Sequence, residues 1–469
     1  MAKRSLGMFV LALLGQLLLT EPRTSAETPD QARQRHDHVA QRRAGVHLIC
    51  HRGALEFAHE NTMEAYRAAL DLGADGNEID IRITKDGVLV CFHDDMLDHL
   101  LEAYGDVGDY TWEELQKVPF RHPGRFGKHC RIPTLREVFE FHRDHHALVF
   151  LDVKQPNLAD AIGRLLDEYD LWDHVVQAPA DFTDPRIVRT RSKGEMYLTR
   201  TEVDDKAITA MLARPGEQIL LESPQKVALA LGRKIGPTSA KPVSDEFAVW
   251  ARQSDRPADG RSSEELLKVL NDAADWNEVA NEGPDAASSA ERILKRAKAA
   301  DELARRGAQT PEVVASLEQR VHKRSLHRDW RYCGLDGCAA LRALFALKAP
   351  QATELARSCL WRDDPDVEKA MNPMYKNPRS WTDFRTKIPV FKMLETMPGS
   401  DAEKICRDYL VLSDEEAHRI GVPLFEDAAR CLIAVSPHDE TMRELSGHRL
   451  SIVRGRAILE SEENRTRAE

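Results

Sequence analysis

"VHLICHRGALEFAHENTMEAYRAALDLGADGNEIDIRIT", residues 46–84, is the stretch whose reading decides the fold. The apolar run "VHLICHR" (46–52) has the length and composition of a strand and stops at a histidine and an arginine. Asn61 and Thr62 then open a pattern over 62–72 with apolar residues three and four apart, which predicts a helix capped at its start. A second strand pattern, "NEIDIRIT" (77–84), follows. Strand, helix and strand in this order favour two parallel strands joined by a crossover.

The alternation continues outward to about residue 225. Further strand patterns are "VLVCFHD" (88–94), "LVFLDVK" (148–154), "HVVQA" (174–178), "EMYLTR" (195–200) and "QILLES" (218–223), with helical patterns over 134–145, 158–168 and 204–213. The fold class predicted is an α/β TIM-type barrel, compressed to seven legible strands, because "DPRIVRTRSK" (184–193) reads as helical where another strand is due. The text "GPTSAKPVSDEFAVWARQSDRPADGRSS" (236–263) mixes Pro, Gly, Ser and charge, and a linker is expected over 233–263. From 264 to 469 strand signals vanish and helical patterns take over. "AALRALFALKAPQATELARSCL" from Ala339 and "AARCLIAVSPHDETMRELSGH" from Ala428 share a helix, a Pro-bearing turn and a second helix. That self-similarity suggests a HEAT-like solenoid, with an irregular helical bundle as the other arrangement it fits.

At 469 residues, 42% of them hydrophobic, the chain is long enough for two or three domains with their own cores. A net charge of -11 argues against a general polyanion binder, so nucleic acid is not an expected partner. Lys3 and Arg4, an apolar stretch from Leu6 to Leu19, and the small residues Thr24-Ser25-Ala26 read as a signal peptide over 1–26 and predict export, periplasmic or secreted. No later segment is apolar for long enough to cross a bilayer, so no membrane span is expected after cleavage. The eight cysteines are scattered, which predicts mostly buried thiols; only Cys333 and Cys338 are close enough for a local disulfide. No paired CxxC motifs of a zinc site occur.

Four strand ends carry ionisable residues where an apolar run finishes: His51-Arg52, Glu78 with Asp80, His93-Asp94, and Asp152 with Lys154. Taken singly, each has an ordinary structural explanation, such as a turn, a cap or a surface ion pair. In a parallel barrel the carboxyl ends of all strands open on one face, so the four would meet at one mouth. Period-two alternation keeps Glu78 and Asp80 on one side of their strand, and Asp152 and Lys154 on one side of theirs. Three carboxylates at one mouth repel unless something positive lies between them, and a hard cation with oxygen ligands, Mg²⁺ or Ca²⁺, fits that need. Arg52 and Lys154 supply positive charge for a phosphate, and His51 and His93 have the pKa range for proton transfer near neutrality.

These residues resemble the glycerophosphodiester phosphodiesterase family. The resemblance rests on "HRG" (51–53), "ENT" (60–62), "GADGNEIDIRITKDGVLVCFHD" (73–94), "PTLREVF" (133–139) and "LDVK" (151–154), and with "ILLESP" (219–224) as an echo of the closing strand it covers about 46–232. It implies a TIM barrel, with Glu78, Asp80 and Asp152 as metal ligands, His51 and His93 as the acid–base pair, and Arg52 and Lys154 on the phosphate. Glu60 is implied as a residue that orients Arg52 or the metal. The implied activity is metal-dependent hydrolysis of glycerophosphodiesters, or of a related lipid headgroup, to an alcohol and glycerol 3-phosphate.

Three departures from the family pattern are visible. Asp152 stands where the third carboxylate is usually Glu, His59 where a Pro usually precedes Glu-Asn-Thr, and "DMLDHLLEAYGDVGDYTWEEL" (95–115) keeps only the later half of the usual segment after His-Asp. Two other readings are phospholipase D-like action on intact phospholipids and a non-catalytic binding platform. Retention of both histidines and all three acids favours catalysis over a platform. The helical half shows no catalytic motif, and a protein partner is its expected ligand on architecture alone.

Overall fold

The computed structural model describes residues 27–55, 58–121, 130–190, 218–221, 259–273, 284–362 apart from 324, 328 and 330, 386–450 apart from 422, and 453, 454, 456 and 457. The expected signal peptide, the strand over 195–200, the helix over 204–213 and nearly all of the linker lie outside these residues.

The first half begins with helix α1 (Pro29–Arg43), then β1 (Val46–Cys50), α2 (Met63–Asp71), β2 (Gly76–Ile83), β3 (Leu89–Cys91) and the single turn α3 (Trp112–Leu115). It continues with α4 (Leu135–Asp144), β4 (Leu148–Val153), α5 (Ala159–Tyr169), β5 (Val175–Gln177) and β6 (Gln218–Leu221). Five strands lie side by side in the order β5-β4-β2-β1-β6, all parallel, giving a curled half-barrel with α2, α4 and α5 as crossovers. That β6 returns to pair with β1 is the move that begins to close a barrel.

Alternation assigns every strand residue to one of two sides. Ile79, Ile81, Val149 and Leu151 point outward into a core with Val138, Phe139, Ile162 and Leu166 of α4 and α5. The inward column is apolar at the amino end, where Ile49, Leu148, Val176 and Ile219 surround Val39 of α1. It turns polar towards the carboxyl end, where Glu78, Asp80, Asp152 and Lys154 continue the same columns. Gly76 lies at the foot of its column, where a Cβ would stand 2.1 Å from the Leu148 carbonyl oxygen; no other residue type fits between β2 and β4.

Two sequence expectations are corrected. The "VLVCFHD" run is not another parallel strand: β3 pairs antiparallel with β2, Arg82 opposite Val90, and lies off the main strand order. The link between them is the tight Thr84–Val88 turn, too short for the crossover a parallel strand needs. Residues 184–190 of "DPRIVRTRSK" are not helical. Asp184 turns back on Arg186, accepting from its amide at 2.9 Å, and Thr190 N–H donates to the Val176 carbonyl at 2.9 Å, which draws the chain along β5 instead.

The second half is helical: α6 (Ser263–Leu270), α7 (Pro284–Arg305), α8 (Pro311–His322), α9 (Leu335–Ala346), α10 (Ala352–Leu360), α11 (Ile388–Leu394), α12 (Ser400–Leu410), α13 (Asp414–Ile420), α14 (Phe425–Val435) and α15 (Asp439–Ser446). They share one apolar core, which also takes in Tyr104 from the first half. The two similar stretches are the helix pairs α9–α10 and α14–α15, with Pro350 and Pro437 in their turns. All eight cysteines are thiols, six of them buried, and no disulfide links Cys333 to Cys338. No helix among the described residues is long and apolar enough to cross a membrane.

Candidate active site

The end of β1 makes an abrupt turn. Arg52 has φ 59° and Gly53 φ 83°, and a Cβ on Gly53 would stand 2.8 Å from Ala65, so the glycine is what lets the turn pack on α2. The left-handed arginine is a strained conformation, which aims its amide into the mouth, where it donates to Glu78 Oε2 at 2.9 Å. Its guanidinium stands 3.1 Å from Glu60 Oε1 and 3.6 Å from Asp80 Oδ2. Thr62 caps α2 by accepting from the Ala65 amide, whereas Asn61, also left-handed at φ 56°, turns inward.

The acids converge because the β2–β4 register sets Asp80 directly beside Asp152, with Glu78 one inward step below. Oxygens of Glu78, Asp80 and Asp152 lie within 4.8 Å of one another. Lys154 Nζ is 2.6 Å from Asp152 Oδ2 and 2.8 Å from Asp80 Oδ1. Burial and the Asp80 charge push the Glu78 carboxyl well above its ordinary range. Burial would raise Asp80 too, but His93, Arg52 and Lys154 hold it below. An all-oxygen, partly buried set of three carboxyl groups suits a hard divalent cation, and Asp152, the most exposed of the three, leaves the set open to solvent.

His51 follows β1 and faces the same mouth, within electrostatic range of Asp80, His93 and Lys154. Burial, reinforced by the Arg52 charge, pushes its imidazole down to about 3, so it is neutral at neutral pH. His93 Nδ1 stands 2.8 Å from Asp94 Oδ1, and His99 Nδ1 stands 2.8 Å from Asp94 Oδ2. Burial would raise the Asp94 carboxyl, but hydrogen bonds from both histidines hold it well below the usual range. Glu60, His93 and Asp94 form a second close group, also within 4.8 Å.

The structure therefore brings His51, Arg52, Glu60, Glu78, Asp80, His93, Asp152 and Lys154 to one mouth. Sequence reasoning missed three supports. Asn61 appears there only as a cap, yet its Nδ2 donates to Asp80 Oδ2 at 2.8 Å. Arg82, next on the inward column after Asp80, donates to the His93 carbonyl at 2.7 Å and to Asp95 at 2.7 Å. Period two finds Arg82; nothing in the sequence marks His99, which lies in an irregular turn.

Comparison with known proteins adds to this geometry. Residues 51–209 match the model of the glycerophosphoryl diester phosphodiesterase family. A glycerophosphodiester phosphodiesterase of Caldanaerobacter subterraneus subsp. tengcongensis is 37% identical over 137 residues, which is 28% of this chain and 56% of that protein. Glycerophosphodiester phosphodiesterase 1 of Rattus norvegicus is 32% identical over 181 residues, 38% of this chain and 52% of that one. The crystal structure of a glycerophosphodiester phosphodiesterase from Agrobacterium tumefaciens is 30% identical, covers 29% of this chain and 60% of its own, and superposes with a TM-score of 0.27. This chain spans about half the length of the curated relatives it matches.

Proposed function

Because residues 51–209 match the model of that family, we propose that the chain is a metal-dependent phosphodiesterase that hydrolyses glycerophosphodiesters to an alcohol and glycerol 3-phosphate. The single observation that carries the reading is the three-carboxylate cluster of Glu78, Asp80 and Asp152 facing two histidines and two cationic side chains across one mouth.

Glu78, Asp80 and Asp152 would hold Mg²⁺ or Ca²⁺, which when bound neutralises charge on the phosphodiester and lowers the cost of a hydroxyl attacking it. Arg52 and Lys154 are the counter-charges of those carboxylates, placed to hold non-bridging oxygens of the ester. Neutral His51 is suited to take the proton of the attacking hydroxyl, from water or from the substrate's own glycerol. The Asp94 carboxylate faces His93 Nδ1 at 2.8 Å and orients the ring, which suits His93 to protonate the departing alkoxide as the phosphorus–oxygen bond breaks. Glu60 fixes the Arg52 guanidinium. The leader expected over 1–26 would place this chemistry outside the cytoplasm.

Phosphorus NMR on glycerophosphocholine and glycerophosphoethanolamine tests the reading. The diester resonance should give way to that of a monoester when Mg²⁺ or Ca²⁺ is present. It should persist with chelator or with a His51→Ala protein. Equal conversion in all three samples would overturn it in favour of a binding platform.

A further inference from the structure

The loop that follows β3 does two things at once. At its start it carries His93, Asp94 and His99; further on, it leaves the barrel and enters the helical half. Tyr104 is buried in the helical core, and its hydroxyl donates to Asp301 Oδ2 of α7 at 2.6 Å. Arg121, at the far end of the same loop, reaches Asp301 Oδ2 at 3.3 Å. Arg342 of α9 completes the cluster, 3.1 Å from Asp301 Oδ1 and 3.0 Å from the Tyr104 hydroxyl. One carboxylate of the helical half thus ties down both arms of a barrel loop.

The tie leads back to the catalytic histidine through bonds of ordinary length. Arg121 Nε donates to the Asp98 carbonyl at 2.7 Å, and the Arg121 amide donates to the Leu100 carbonyl at 2.8 Å. These hold the short turn Leu97–His99, whose Leu97 amide donates to the Gly105 carbonyl at 2.9 Å. His99 in that turn and His93 before it grip the two oxygens of Asp94. The helical half also carries charge on this side: Lys392 of α11 lies within electrostatic range of Glu60, and Arg331 of Asp95.

We propose that the helical half is a working part of the active site, and that Asp301 is a positioning residue that sets His93 through Arg121, Tyr104 and the His99–Asp94 pair. This rests on the phosphodiesterase reading above. The position of Asp301 is built for permanence. Burial alone would raise its carboxyl, yet Arg342, Arg121 and the Tyr104 hydroxyl hold it below the usual range, so the clamp stays ionised across working pH. A helical half that only bound a partner would need no charged anchor on the loop that carries His93.

The test uses the full chain with Asp301→Asn and, in case that change disturbs folding, Tyr104→Phe, which keeps the ring and removes the hydroxyl that donates to Asp301 and accepts from Arg342. Hydrolysis kinetics and amide hydrogen exchange are measured on each. We expect kcat per folded molecule to fall at least tenfold with KM within twofold of the parent. Exchange should accelerate at Leu97, Leu101 and Arg121 and stay unchanged in β2 and β4. A merely structural role would lower the folded fraction and leave kcat per folded molecule intact, and that result overturns the proposal. If the parent protein hydrolyses no glycerophosphodiester, the phosphodiesterase reading falls by itself. The clamp is then judged on exchange alone, where unchanged protection from 97 to 101 overturns it and accelerated exchange supports it.

Discussion

Asn61 and Asp80 are bonded twice: Asn61 Nδ2 donates to Asp80 Oδ2 at 2.8 Å, and the Asp80 amide donates to Asn61 Oδ1 at 3.2 Å. The Tyr66 hydroxyl donates to the same Asn61 oxygen at 2.8 Å, so a buried amide fixes the rotation of the central carboxylate of the acidic cluster. Groups that orient a ligand commonly matter about tenfold to a hundredfold in metal affinity. Asn61→Ala should raise the Mg²⁺ or Ca²⁺ concentration for half-maximal activity by about tenfold or more, and Tyr66→Phe by less. An activity titration against cation concentration checks both; an unchanged midpoint for Asn61→Ala removes Asn61 from the site.

Asp94 serves His93 and His99 together, and their hydrogen bonds hold its carboxyl well below the usual range against the opposing effect of burial. Asp94→Asn keeps the shape but loses the carboxylate whose two oxygens orient His93 and His99. The expected loss in kcat is about a hundredfold or more, the range in which general acid–base groups act. Because Asp94 does not titrate near neutrality, the loss should be similar from pH 6 to 9. A pH–rate profile that is shifted rather than lowered would show that Asp94 sets a pKa and not a position.

Two buried histidines make stability depend on pH. His142 is pushed down to about 3 by burial, with Nε2 facing Asn77 Nδ2 at 3.1 Å, and burial likewise pushes His174 down to about 4. Both are neutral in the folded protein, while unfolded histidine takes a proton near 6.5. Their contribution is therefore complete above pH 6.5 and lost as pH falls towards the folded values. Each should cost about 2 kcal/mol between pH 7 and pH 5. Urea unfolding at the two pH values should show that His142→Gln loses less stability on acidification than the parent by about that amount. Equal losses would mean that His142 is protonated in the fold.

Gly76→Ala tests the packing beneath the site. The added methyl would stand 2.1 Å from the Leu148 carbonyl oxygen, a backbone atom that can move only by parting β2 from β4. Overpacking of this kind should cost about 3 kcal/mol or more, and because the same two strands carry Glu78, Asp80 and Asp152, cation affinity should fall with stability. Thermal unfolding and cation titration of the variant report the two effects; a variant as stable as the parent would contradict the strand spacing.

What the sequence made legible follows from what it repeats. Period-two alternation on β2 and β4 placed Glu78, Asp80, Asp152 and Lys154, because one buried face leaves no choice of register. The apolar spacing of α2, α4 and α5 gave those helices within a residue or so at each end. Helix α1 left no such trace. In "PDQARQRHDHVAQRR" only Val39 is a buried apolar residue, and the helix is held by Arg35 on Glu27 and Asp170 and by Arg43 on the Asp173 carbonyl. The antiparallel β3 misled because five apolar residues, Val88 to Phe92, ending in His-Asp look the same in either direction. The Asp301 clamp was invisible because its members, Tyr104, Arg121, Asp301 and Arg342, are spread over more than two hundred residues and obey no local period.

Calorimetric titration of Mg²⁺ or Ca²⁺ into chelator-treated protein, with Asp80→Asn alongside, tests the central claim most directly. One cation should bind per chain in the parent, with proton release as Glu78 gives up the proton that burial and Asp80 favour, and the variant should bind at least tenfold more weakly. Equal affinity in the two proteins, or no saturable site in the parent, would contradict the account.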